Sequence, residues 1–168
     1  MKQKRIIAPE EISRQKTIME YVASLNAGLD KKAFIETYGC QQNVSDSEII
    51  AGMLETMGYT ITDNKEDADF IIYNTCAVRE NAELKVYGNL GALKHLKTRK
   101  PDVILAVCGC MMQQDRVAQK IRKSYPFVDI VFGTHVIHRL PEFLYISLSK
   151  GKKVYELPDN DGVICEEL

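Results

Sequence analysis

The chain has 168 residues, enough for one domain with a sizeable core, and its 45% hydrophobic and 27% charged content is that of an ordinary soluble globular protein. A formal net charge of −1 gives no global basic field to attract nucleic acid or an anionic membrane, and no apolar run approaches the roughly 18 residues of a transmembrane helix. The first eight residues hold no signal-peptide core, and five cysteines without secretory signals argue against a disulfide framework. Reduced thiols in a cytoplasmic protein, free to act as ligands or nucleophiles, are the working expectation.

In chain order, residues 1–31 read as a helical arm. Pro9 and two glutamates suit a first turn, Ile18, Val22 and Leu25 share a face, and Gly28 is a stop. The arm can pack on the domain or reach a partner. Residues 32–38 form the first expected strand, which ends at Gly39-Cys40. Ser45 and Glu48 have capping-box spacing ahead of a helical stripe of Ile50, Met53, Leu54 and Met57, closed by Gly58. A short second strand, 59–62, is half polar and suits an edge. Phe70-Ile71-Ile72-Tyr73 is a buried third strand running into Cys76, followed by a helix from about Val78 to Thr98. Gly88 and Gly91 weaken that helix or mark close packing against a neighbour.

Residues 102–107 are a nearly unbroken apolar strand, as at the centre of a parallel sheet, ending at Cys108-Gly109-Cys110. A helix over 114–125, a fifth strand over 128–132 leaving through Gly133-Thr134, and a last helix over 136–149 interrupted near Pro141 follow. Residues 153–157 are a possible final strand, and 158–168 read as a linker. Strands alternating with helices give an α/β fold. The expected architecture is an open, mainly parallel sheet of about five strands with helices on both faces, flavodoxin- or Rossmann-like, in the order 2-1-3-4-5 and spanning residues 32–157.

That order sets strands one, three and four side by side, and these are the three that end in cysteine. Cys40, Cys76 and Cys110 are too far apart in sequence for a local C-x-x-C motif, so only the fold can gather them. Adjacent strands lie about 4.8 Å apart, which lets three strand-end loops converge on one object of cluster size. Zinc in a structural site wants four ligands, and His95, His135 and His138 are not obviously placed to supply the fourth. On spacing alone, an iron–sulfur cluster, buried structural cysteines, and another metal or redox thiol all remain open.

The motifs narrow the choice. Thr37-Tyr38-Gly39-Cys40-Gln41-Gln42-Asn43 with Asp46-Ser47-Glu48, then Asn74-Thr75-Cys76-Ala77-Val78-Arg79, then Gly109-Cys110-Met111-Met112-Gln113 resemble, in order, the three cysteine motifs of the radical-SAM methylthiotransferases. The run Arg79 to Glu83, with Lys85 to Gly91, is most similar to the tRNA branch; the ribosomal-protein and threonylcarbamoyladenosine branches are alternatives. The resemblance implies that Cys40, Cys76 and Cys110 hold an auxiliary 4Fe–4S cluster with one open iron, which supplies or carries the sulfur placed on an isopentenylated adenosine beside the anticodon of tRNA. It also implies a second 4Fe–4S cluster and S-adenosylmethionine in a radical-SAM barrel that follows in cis. Nothing in these residues matches that barrel's motif, so the chain is expected to be the cluster-binding domain, with 158–168 leading toward the barrel and no turnover on its own. A stand-alone iron–sulfur carrier is the alternative from another class.

Around these ligands, Asn43, Asn74 and Thr75 are candidates to hydrogen-bond the cluster, or simply turn and capping residues. Arg79 can balance cluster charge or lie solvated at a helix start. Cys108 is expected to be a buried non-ligand and Cys165 a fortuitous thiol. Lys94, Lys97, Arg99 and Lys100 make a basic helix end, explained by the helix dipole or by a share in tRNA backbone binding.

Overall fold

Two unbroken apolar runs make the centre of the sheet. Strand β3 (Phe70–Thr75) and strand β4 (Ile104–Gly109) are buried at every position, because helices cover both of their faces. The computed structural model describes residues 7–76, 80–156 and 164–167, with side chains over 7–76 and 83–156. Around the central pair stand β1 (Lys32–Thr37), β2 (Thr60–Ile61), β5 (Ile130–Phe132), β6 (Lys152–Glu156) and β7 (Ile164–Glu167). The sheet order is β2-β1-β3-β4-β5-β6-β7, parallel throughout except for the last pair.

The expected five-strand core and its order are all present, and the sheet extends beyond them. The possible strand at 153–157 is β6, with residue 157 outside the described residues. The segment read as a linker carries β7, antiparallel to β6. Four residues with two glutamates give too weak an apolar alternation to announce a strand.

Helices α3 (Glu80–Arg99) and α4 (Asp115–Ser124) cover one face. Val86, Leu90, Leu93 and Leu96 of α3 and Val117 and Ile121 of α4 pack there on Ile71, Tyr73, Leu105 and Val107. Gly88 and Gly91 lie on the exposed side of α3, where an added Cβ would meet nothing, so they do not mark a close helix contact. The other face holds α1 (Pro9–Asn26), α2 (Gln41–Thr56) and α5 (Leu140–Lys150) over Phe70, Ile72, Ala106 and Phe132. Full burial of each Val, Leu, Ile or Phe side chain among these contributes roughly 1.5–3 kcal/mol.

The arm docks on the domain. Val22 is fully buried, Asn26 Nδ2 donates to the Met57 carbonyl at 2.9 Å, and Arg14 reaches Glu142 of α5 at 2.9 Å. The expected cap of α2 also moves. The helix begins at Gln41 with Cys40 as its N-cap, so Ser45 and Glu48 lie inside it. Pro141 stands in the first turn of α5, and the 3-10 segment Thr134–Arg139 precedes it, which accounts for the interruption read there. Among the described residues no helix is long and apolar enough to cross a membrane.

Candidate functional site

The parallel register draws one continuous row across the sheet: Thr37 beside Asn74, Asn74 beside Cys108, Cys108 beside Phe132, Phe132 beside Glu156. Cys76 and Cys110 each lie two residues beyond that row, and Cys40 lies three beyond. The three thiol-bearing loops thus leave neighbouring strands at one level of the same sheet edge. With strands about 4.8 Å apart, the edge from β1 to β4 spans roughly 10 Å. That is wide for a single ion with metal–sulfur bonds of about 2.3 Å. Among the described residues no group of three His, Cys, Asp or Glu stands close enough to hold one ion. Three soft thiols spread over such an edge fit a body several atoms across, and thiolate donors suit iron–sulfur chemistry.

The Cys40 and Cys76 loops touch. Gly39 adopts φ +111°, and a Cβ there would lie 2.2 Å from Cys76 Cβ and 2.8 Å from its sulfur. Only glycine allows both the backbone angle and the approach. Cys40 is exposed at the start of α2, and Cys76 is buried. The backbone N–H of Asn43 donates to the Cys40 sulfur, and the Cys40 N–H donates to Asn43 Oδ1 at 3.3 Å. The N–H groups of Asn43 and Gln42, more than the contact with Cys76, pull the Cys40 thiol below its ordinary pKa.

Asn43 is also the brace between the loops. It is buried, and its Nδ2 donates to the Thr75 carbonyl at 2.8 Å and to Asn74 Oδ1 at 3.2 Å. Asn74 Nδ2 returns a bond to the Asn43 carbonyl at 2.8 Å and another to Ser47 Oγ at 3.0 Å. Thr75 Oγ1 donates to the Cys108 carbonyl at 2.6 Å and ties β3 to β4. Of the three proposed cluster partners, Asn43 reaches a cysteine side chain, while Asn74 and Thr75 hold the chain around it. Arg79 lies outside the described residues.

The Cys110 loop rests on a second glycine. Gly109 has φ +106°, and a Cβ there would lie 2.2 Å from the Thr75 carbonyl oxygen and 2.7 Å from the Thr75 nitrogen. Cys110 opens the 3-10 segment Cys110–Gln113 and is half-buried, its sulfur 3.6 Å from Thr134 Oγ1. Cys108 points into the core on the α2 side, and burial pushes its thiol far up, with smaller contributions from Asp46 and Cys110. Cys165 lies in β7, in a stretch described by its backbone alone.

Three of the four basic residues at the end of α3 are engaged within the fold, while Lys94 is exposed. Lys97 pairs with Asp129 at 2.9 Å, Lys100 donates to the Ala68 carbonyl at 2.8 Å, and Arg99 pairs with Glu66 at 2.8 Å. At the other end of the chain's resemblance, Asn89 donates to the Tyr38 hydroxyl at 2.7 Å and fastens α3 to the strand end before Cys40. Ser47 and Asn89 lie within the motif runs without an assigned role, and Thr134 lies outside them; each meets its partner across elements far apart in sequence, which no local pattern announces.

Residues 32–133 match the family described as Uncharacterized protein family UPF0004, a span that includes all three cysteine motifs. Curated relatives share one name, tRNA-2-methylthio-N(6)-dimethylallyladenosine synthase. That of Alkaliphilus oremlandii is 54% identical over 98% of this chain and 35% of its own length. That of Acetivibrio thermocellus is 49% identical over 96% of this chain and 35% of its own. The Clostridium tetani protein is 57% identical over 79% of this chain and 29% of its own. The chain thus spans about a third of the length of the relatives it matches.

Proposed function

Because this chain belongs to the UPF0004 family, we propose that it is the auxiliary cluster-binding domain of a tRNA methylthiotransferase, with Cys40, Cys76 and Cys110 as the three ligands of a 4Fe–4S cluster. The observation that carries this reading is that three neighbouring strands each deliver a cysteine two or three residues beyond one row of the sheet, with Gly39 and Gly109 allowing the loops to close together. The shared name of the relatives supports the substrate: an N6-isopentenylated adenosine in tRNA, which gains a methylthio group at C2.

When bound, the cluster would be held by Cys40, Cys76 and Cys110 and would supply the sulfur to be transferred. The chain's own residues hold that place. Cys40 presents its sulfur at a helix start, where backbone N–H groups favour the thiolate. Asn43, Asn74 and Thr75 keep the first two loops at a fixed separation with uncharged groups, which adds no negative charge beside thiolates. Cleavage of S-adenosylmethionine, on a second 4Fe–4S cluster, falls to a radical-SAM barrel in cis, and tRNA binding falls mainly to parts outside this chain. The chain alone therefore binds its cluster without turning over, in the cytoplasm, where thiols stay reduced.

Anaerobic reconstitution tests the reading. Wild-type chain should take up about four irons and four sulfides, as a 4Fe–4S site requires. Cys40→Ala, Cys76→Ala and Cys110→Ala should each lose most of the iron, and Cys108→Ala should retain it. Full iron in any of the first three variants overturns the ligand assignment.

A further inference from the structure

The row that levels the cysteines continues past them into β5. Phe132 of β5 stands beside Cys108, and Thr134 lies two residues beyond Phe132, the same offset that carries Asn74 to Cys76 and Cys108 to Cys110. The β5 loop therefore leaves the sheet at the level of the thiol loops and brings a hydroxyl where its neighbours bring sulfur. Thr134 Oγ1 lies 3.6 Å from the Cys110 sulfur, within hydrogen-bonding range for sulfur. The loop is closely packed there: a Cβ on Gly133 would come within 2.9 Å of His135 Nδ1 and 3.3 Å of Gln113 Cγ. It is thus seated against the same Cys110–Gln113 turn that carries the thiol.

We propose that Thr134 is a positioning residue for the cluster, its hydroxyl donating a hydrogen bond to the sulfur of Cys110 when that sulfur is a ligand. The inference rests on the ligand assignment made under Proposed function. Between a thiol and a hydroxyl either group can donate, but a ligating thiolate has no proton left, so the direction is fixed by the chemistry of ligation. A donor on a ligating sulfur withdraws electron density and favours the reduced cluster, which raises its potential. Cys40 receives its donor from the backbone of α2, which no side-chain change removes. Cys110 receives its donor from a side chain, so the potential is open to adjustment by substitution of Thr134.

Wild type, Thr134→Val, Thr134→Ala and Thr134→Ser are reconstituted anaerobically, iron and sulfide are counted, and the cluster potential is read by a reductive titration followed by electron paramagnetic resonance. The expected result is wild-type iron content in all four, a downward shift of potential in the valine and alanine variants, and the wild-type potential in the serine variant. Two hydroxyl-free variants keep the test open should one fold poorly. A loaded valine or alanine variant at the wild-type potential, or a serine variant shifted with them, overturns this inference and leaves the ligand assignment standing. A wild-type chain that takes up no cluster overturns the ligand assignment and this inference with it.

Discussion

The thiol edge and the α1–α5 seam satisfy buried polarity in opposite ways. At the edge the partners are amides, hydroxyls and carbonyls: Asn43 with Asn74 and Thr75, Thr75 with Cys108. At the seam they are ions: Arg14 and Arg139 both reach Glu142, and Arg139 continues to Glu156. Burial alone would raise the Glu142 carboxyl, but the hydrogen bonds and charges of the two arginines hold it down at about 2. An edge that is to hold an anionic group gains from bracing that carries no charge, whereas a helix seam has no such constraint. The two regions should therefore answer differently to mutation, to acid and to salt.

The largest effect belongs to the edge. Gly109→Ala forces a Cβ onto the Thr75 backbone at a positive φ, with no flexible neighbour to yield. A loss of roughly 4 kcal/mol or more in urea unfolding is expected, and a near-neutral result would mean that the two loops separate easily. Asn43→Ala comes next. It strips partners from the Thr75 carbonyl, Asn74 Oδ1 and the Cys40 N–H. The expected loss is roughly 2–4 kcal/mol, and the same loss at pH 4 and pH 8 is the mark of an uncharged brace.

The seam gives a smaller and pH-dependent loss. Glu142 has a folded-state pKa below its ordinary value, so its contribution is full above the usual carboxylate range and fades as pH falls toward about 2. Because Arg14 is half exposed, screening reduces that contribution to about 2 kcal/mol. Glu142→Gln should lower the melting temperature at pH 7, with the gap narrowing below the usual carboxylate range and closing only as pH falls through about 2. A constant gap across that range would remove the ionic account of the seam. The smallest effect is the solvent-exposed pair Arg99–Glu66, where Arg99→Ala should change stability by about 0.5 kcal/mol or less, and less still in high salt.

Much of this architecture is readable from residue order. The apolar runs at 70–73 and 102–107 announce buried parallel strands, and Cys76 and Cys110 each fall one residue past a strand end. The pairings are not readable in the same way. Asn43 of α2 meets Asn74 of β3 across a helix–strand contact, and Cys110 meets Thr134 across neighbouring strand ends; neither pair is close in sequence, so no local pattern announces it. The lysines of α3 show the same limit. A basic helix end suggests the dipole or a phosphate, yet Lys97 and Lys100 turn inward to Asp129 and to the Ala68 carbonyl. Nor does the weak alternation at the chain's end foretell β7.

The row from Thr37 to Glu156 also divides the chain by its tolerance of added length. Each strand delivers its loop to the edge by counting residues from a shared level, at about 3.3 Å per residue, with side chains alternating between faces. One residue inserted between Asn74 and Cys76, or between Cys108 and Cys110, would push a sulfur away from its level or turn it to the other face. The same residue inserted at 62–64, before β3 and at the opposite edge, would be absorbed by an exposed turn. Length variation in this fold should therefore collect at the edge away from the thiols.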